Sequence, residues 1–165
     1  MRNKWTILLM LILFAITILI VNYTGKRPPS FPGAQAILHD ENGKSISIVN
    51  LNGTVRIVSY FKTWCRECRA EAKELEALQQ AVGGESKLSV FLISDEDAES
   101  ITMFRKITNV HLPVLFSNKD LTALNIRRFP TTYLLDKNNK IIDAKVESIY
   151  WNTPEMQVKI KQLNR

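Results

Sequence analysis

Apolar positions along this chain fall into three kinds of run, and each kind predicts a different element. The first is continuous. Trp5 to Val21 reads WTILLMLILFAITILIV, seventeen residues without a charge or a proline, and at 1.5 Å per residue it would span roughly 26 Å as a helix, near the lower limit for a bilayer core. The second kind is short and rich in β-branched or aromatic residues: Val55 to Phe61, Leu88 to Ser94, Val114 to Phe116, Thr132 to Leu135 and Ile141 to Val146. These predict strands, of which Val55 to Phe61 has the mostly apolar make-up of one covered on both sides. The third kind recurs at helical spacing. Cys68, Ala72, Leu75, Leu78 and Val82 form a stripe that stops at Gly83-Gly84, and Asp97 is placed to cap a helix through Ile101, Phe104 and Ile107. Thr153-Pro154-Glu155 supplies an N-cap, an N1 proline and an acidic first turn for a last helix burying Met156, Ile160 and Leu163.

Turn chemistry punctuates these runs. Asp40-Glu41-Asn42-Gly43 separates two short strand candidates, Ala36 to Leu38 and Ser45 to Val49, and Asn52-Gly53 marks a second turn. Leu121 to Asn125 reads as a brief helical turn, and Lys137 to Lys140 as the tip of a hairpin. The order is then hairpin, strand, helix, strand, helix, strand, hairpin, helix. That order predicts an α/β sandwich, one mixed sheet with helices on both faces. Three parts follow: residues 1–25 as cytoplasmic N-terminus and transmembrane anchor, 26–35 as a Pro- and Gly-rich tether, and 36–165 as one folded domain.

Composition changes this picture little. Arg2 and Lys4 also fit the n-region of a signal peptide, but the apolar run is long for an h-region and no Ala-x-Ala-like site follows it, so an uncleaved anchor is expected. The positive residues before the run favour a cytoplasmic N-terminus and a domain outside the cytoplasm, although Lys26 and Arg27 reduce the asymmetry. A net charge of +6 would suit nucleic acid, yet the bases are interspersed with acids rather than clustered, so no nucleic-acid partner is expected.

The chemistry concentrates in Thr63 to Glu71, which holds the chain's 2 cysteines spaced as Cys-x-x-Cys. Two sulfurs one helical turn apart at a strand-to-helix junction suit reversible dithiol exchange, in which one thiolate attacks a disulfide and the second resolves the mixed disulfide. Cys65, at the helix start, meets unpaired N–H groups and the positive end of the macrodipole and is the expected exposed nucleophile. Cys68, on the apolar stripe, is the expected buried resolving thiol. Lys62, Arg66 and Arg69 would stabilise a thiolate while Glu67 and Glu71 would oppose it, and the same charges also fit a solvated helix face. Glu71 is a candidate proton relay to the buried thiol, or else a surface glutamate. Phe129-Pro130-Thr131, just ahead of a strand, is the second constellation; there a cis Pro130 would present backbone groups to a substrate, and a trans proline fits the motif equally.

Trp64-Cys65-Arg66-Glu67-Cys68-Arg69-Ala70-Glu71, followed some 60 residues later by Phe129-Pro130-Thr131-Thr132-Tyr133-Leu134-Leu135-Asp136, resembles membrane-anchored thioredoxin-fold proteins of the TlpA/ResA type over about Ala36 to Leu163. The resemblance implies a thioredoxin-like three-layer sandwich with an added N-terminal β-hairpin. It implies a cis Pro130 facing the dithiol and substrate contacts at Trp64, Phe129, Pro130 and Thr131. It further implies a thiol-disulfide oxidoreductase, mostly reducing, on the outer face of the bacterial cytoplasmic membrane. Such a protein serves secreted proteins or cytochrome c maturation, draws electrons from a membrane thiol carrier, and needs no metal or organic cofactor. Glu67 replaces the family's usual proline before Cys68, Phe129 is bulkier than the usual neighbour of the cis-proline, and Ala72-Lys73 stands where a helix proline is common. These departures bear on redox poise and groove shape.

The alternatives are an oxidant or isomerase using the same pair, a structural or partner-binding module, and a copper chaperone of the Sco type drawing on His39 or His111. That last family spaces its cysteines by three residues. Peroxide reduction lacks its Pro-x-x-x-Thr-x-x-Cys pattern, and haem attachment fails because Arg69, not a histidine, follows Cys68.

Overall fold

Described residues of the computed structural model are 2–25, 30–33, 35–51, 53–82, 87–147 and 149–165. Along them run α1 (Arg2–Gly25), β1 (Leu38–His39), β2 (Ser45–Ile46), a 3-10 turn (Ile48–Asn50), β3 (Val55–Tyr60), α2 (Arg66–Val82), β4 (Leu88–Ser94), α3 (Ala98–Thr108), β5 (Val114–Ser117), β6 (Thr131–Leu135), β7 (Ile141–Val146) and α4 (Pro154–Leu163). The strands form one seven-stranded sheet in the order β2-β1-β5-β4-β3-β6-β7. β3, β4 and β5 are parallel; β6, β7 and the β1–β2 hairpin are antiparallel.

β3 is buried at every position because it lies between β4 and β6 and is covered on both faces. Its alternation divides the core. Val55 and Ile57, with Phe61 beyond the strand, belong to a cluster that holds Leu75 and Leu78 of α2, Ile101 and Phe104 of α3, and Met156 and Ile160 of α4. Val58 and Tyr60 belong to a second cluster with Ile48, Leu121, Leu124 and Ile126. The expected sheet with helices on both faces is therefore corrected. The helices α2, α3 and α4 share one face, and the other is covered by the 3-10 turn and the 121–126 turn. The cause is connectivity, since successive right-handed β3-α2-β4 and β4-α3-β5 crossovers progress in one direction and put both helices on the same side.

Local chemistry explains the boundaries. Asp97 Oδ1 accepts the Ser100 N–H at 2.7 Å, and Thr153 accepts from Met156, so both predicted caps are made. In α3, Ile107 is exposed and Thr108 takes the buried place, its hydroxyl donating to Phe104 O. The N-terminal hairpin strands contract to two residues each, around a turn in which Asp40 Oδ1 accepts from Asn42 and Lys44 and Gly43 takes a φ of +78°. Gly83-Gly84, Asn52 and much of the tether, residues 26–29 and 34, lie outside the described residues. The tether's end does not hang free: Pro32 is buried, and the Phe31 ring packs 5.2 Å from that of Tyr133.

α1 is one helix of 24 residues whose side chains, described over 5–19, are all exposed. Over the described side chains, which in α1 run only from 5 to 19, no helix is long and apolar enough to cross a membrane.

Candidate active site

β3 delivers the chain through Phe61 and Lys62 to Cys65, which occupies the N-cap position of α2. Its sulfur takes the part a Ser or Asp oxygen plays in other caps, since Cys68 N–H points at Cys65 Sγ at 3.1 Å. Cys65 and Cys68 are joined as a disulfide with Cα atoms 5.2 Å apart. Their burial is unequal in the expected order, 5% exposed for Cys65 and 0% for Cys68. The expectation of an exposed nucleophile is nonetheless corrected. Cys65 is covered on most sides and opens only into a groove, because the 127–129 segment lies over it with Phe129 O 3.6 Å from Sγ.

That groove, about 430 Å³, is lined by Trp64, Cys65, Arg66 and Glu67 from the start of α2 and by Arg127, Arg128, Phe129 and Glu147 opposite. Trp64 is 66% exposed and meets Phe129 edge-on with ring centres 6.3 Å apart. The Phe129-Pro130 peptide is cis, the geometry that the resemblance implied and the motif alone left open. Thr131 departs from its expected role. It is buried, and its hydroxyl donates to Arg128 O, so it braces the bend behind the groove rather than meeting a substrate.

Glu71 is no surface residue. It is 1% exposed, on the α2 stripe that faces the sheet. Ser59 donates to Oε2 at 2.7 Å, the Thr132 hydroxyl lies 2.9 and 3.0 Å from the two oxygens, and Trp151 Nε1–H donates to Oε1 at 2.8 Å. Burial pushes its carboxyl up to about 7, while those three hydrogen bonds and the charge of Lys145 pull the other way. A carboxyl there exchanges its proton near neutrality.

The charges near the cysteines separate into anchors and rim. Lys62 pairs with Asp95 at 2.5 Å, and Arg69 Nε donates to Thr63 O. Arg66 and Glu67 are exposed at the groove mouth. Sequence reasoning missed the acids that hold this segment: Glu96 accepts both the N–H and the hydroxyl of Thr63, and Asp95 also accepts the Leu121 N–H. The signal was the run Asp95-Glu96-Asp97 at the carboxyl end of a strand, of which only the cap was read. It missed Ser59, Thr132, Lys145 and Trp151 as well, since nothing local ties four residues from β3, β6, β7 and a loop to one glutamate.

His39 and His111 do not line the groove. His39 lies 3.4 Å from the Ser45 hydroxyl, and His111 is exposed beside Glu76. Among the described residues no group of three or more His, Cys, Asp or Glu is placed to hold a metal ion.

The chain is similar to known proteins in sequence and in fold. The model of the AhpC/TSA family matches residues 24–144. Thioredoxin-like protein YneN of Bacillus subtilis is 28% identical across 97% of this chain and 98% of that one. The thiol-disulfide oxidoreductase ResA of Bacillus cereus is 25% identical across 72% of this chain and 67% of that one. Among solved structures, StoA of Bacillus subtilis matches with a TM-score of 0.57 at 19% identity, over 83% of this chain and 100% of that one. A thiol:disulfide interchange protein from a Bacteroides species matches with a TM-score of 0.62 at 19% identity, over 77% and 84%. These structures share the fold.

Proposed function

We propose that this chain, which belongs to the AhpC/TSA family, reduces protein disulfides outside the cytoplasm while anchored in the bacterial cytoplasmic membrane through Trp5 to Val21. It is a thioredoxin-like thiol-disulfide oxidoreductase. The observation that carries the reading is the asymmetry of the pair: Cys65 opens into a groove walled by Trp64 and the Phe129-Pro130 bend, and Cys68 is sealed beneath it.

In the reduced enzyme, Cys65 thiolate attacks one sulfur of the substrate disulfide, forming an enzyme–substrate disulfide and releasing one substrate thiolate. Cys68 then attacks Cys65 Sγ. The Cys65–Cys68 bond forms, the second substrate sulfur leaves as a thiolate, and two electrons have passed to the substrate. Glu71 takes the proton that Cys68 must lose and returns it as the pair is reduced again, a role supported by a carboxyl held near 7. A membrane thiol carrier supplies the electrons. The names of the ResA relatives support the reaction class, and secreted proteins or apocytochrome c are the proposed substrates.

Equilibration of the full chain in detergent with a thiol redox buffer tests the direction of transfer. A potential near that of thioredoxin, about −270 mV, is expected; one near that of DsbA, about −120 mV, would instead make the protein an oxidant. Trp64→Ala separates groove binding from chemistry. The loss of one exposed aromatic contact is expected to lower kcat/KM for a protein disulfide roughly tenfold while leaving reduction of a small aliphatic disulfide unchanged. Equal losses on both substrates would place Trp64 in the chemistry instead.

A further inference from the structure

The partners of Glu71 are not equivalent. Ser59 and Thr132 carry hydroxyls, which rotate to donate to a carboxylate or to accept from a carboxylic acid, so they serve either protonation state. The indole N–H of Trp151 only donates. Its bond to Oε1 therefore requires that oxygen to be an acceptor at all times, and directs any proton to Oε2, on the side of Ser59.

Trp151 is itself held. It is fully buried, with Lys145 Nζ 4.5 Å over its ring, and the same ammonium donates to Tyr150 O, one residue earlier, at 2.5 Å. A cation bound to both the ring face and the adjoining backbone fixes the direction of the N–H. Among the described residues, the other elements packed here bring no further charge to bear on the carboxyl. β3 contributes Ser59, β6 contributes Thr132, α4 contributes the apolar Met156 and Ile160, and α2 has buried Cys68 and Leu75 a turn to either side of Glu71. Lys145 from β7 is the charge that acts on the carboxylate, and the Cys68 thiol is the other titratable group once the pair is reduced.

We propose that Trp151, braced by Lys145, is a positioning residue that keeps Oε1 of Glu71 an acceptor and confines the exchanged proton to Oε2. The proposal rests on the reading of Glu71 as the proton acceptor for Cys68. It extends the site to a residue 80 positions away in sequence from Glu71.

Carboxyl carbon NMR of the oxidised full chain in detergent, labelled at glutamate, follows Glu71 without interference from thiols. In Trp151→Phe, loss of a donor that favours the ionised form is expected to raise the Glu71 midpoint by about one pH unit. The pH profile for reduction of a substrate disulfide should move by the same amount. In the wild type, the Trp151 indole N–H resonance is expected to titrate with the Glu71 midpoint. Lys145→Gln should raise that midpoint by a smaller amount, which keeps the test available if the Phe variant does not fold. A midpoint unmoved in these variants, or an indole signal flat through the Glu71 titration, overturns the proposal. If the midpoint moves but the activity profile does not, and Glu71→Gln also leaves that profile unchanged, the proton-relay reading fails while the hold of Trp151 on the carboxylate stands.

Discussion

Cys65→Ser is expected to reduce protein-disulfide reduction by roughly three orders of magnitude or more, to the rate of the thiol buffer alone, as loss of an obligatory nucleophile does. Cys68→Ser should behave differently. It leaves Cys65 at the N-cap of α2, where the Cys68 N–H and the end of the helix favour negative charge on Sγ, and removes only the group that breaks the mixed disulfide. The Ser variant should therefore accumulate covalent adducts with its substrates through Cys65, separable on non-reducing gels and identifiable by mass. Serine is the right replacement at this buried position because it is close to cysteine in size. Adducts of similar yield in the wild type would show that Cys68 does not resolve them, and turnover at undiminished rate in Cys65→Ser would remove Cys65 from the chemistry.

Glu71→Gln is expected to stabilise the fold at neutral pH and to remove most of its stability change between pH 4.5 and 7. The folded carboxyl sits near 7, above its ordinary 4.5, because burial penalises its charge. Across that window the folded state binds more protons than the unfolded chain, so stability falls as pH rises and the penalty is complete above the folded value. A separation of this size corresponds to about 3 kcal/mol. Glutamine preserves shape and carries no proton equilibrium, and the hydroxyls of Ser59 and Thr132 can turn to accept from its amide. Chemical denaturation of the oxidised protein at several pH values should thus give wild-type and Gln stabilities that diverge by about that amount. Parallel curves would show that the carboxyl is no harder to ionise in the fold than outside it.

The parts legible in the sequence were those written locally. The α2 stripe, the Asp97 and Thr153 caps, the Asn42-Gly43 turn and the unequal burial of Cys65 and Cys68 follow from spacing and side-chain chemistry over a few residues. Those that depend on how distant segments meet were not legible. Periodicity could predict that β3 is covered on both faces but not what covers it, and turns rather than helices supply the second cover. Cys65 was expected to be exposed because a helix N-terminus usually is; the 127–129 segment that covers it lies more than sixty residues on. Thr131 was expected as a substrate contact from the family resemblance, but its hydroxyl turns inward to Arg128 O. Glu71 could be singled out by its distance from Cys68, whereas its surroundings came from four other parts of the chain.

Phe31 bears on where such an enzyme can work. α1 ends at Gly25, and by Phe31 the chain is already packed against the Tyr133 ring. Even fully extended, the six peptide units from Gly25 to Phe31 reach roughly 22 Å. In the anchored form proposed above, the domain is thus kept on a short leash, its search confined to a thin layer next to the lipid. A substrate held at that surface is met in effect at high local concentration, whereas one in bulk solution has to be brought there first.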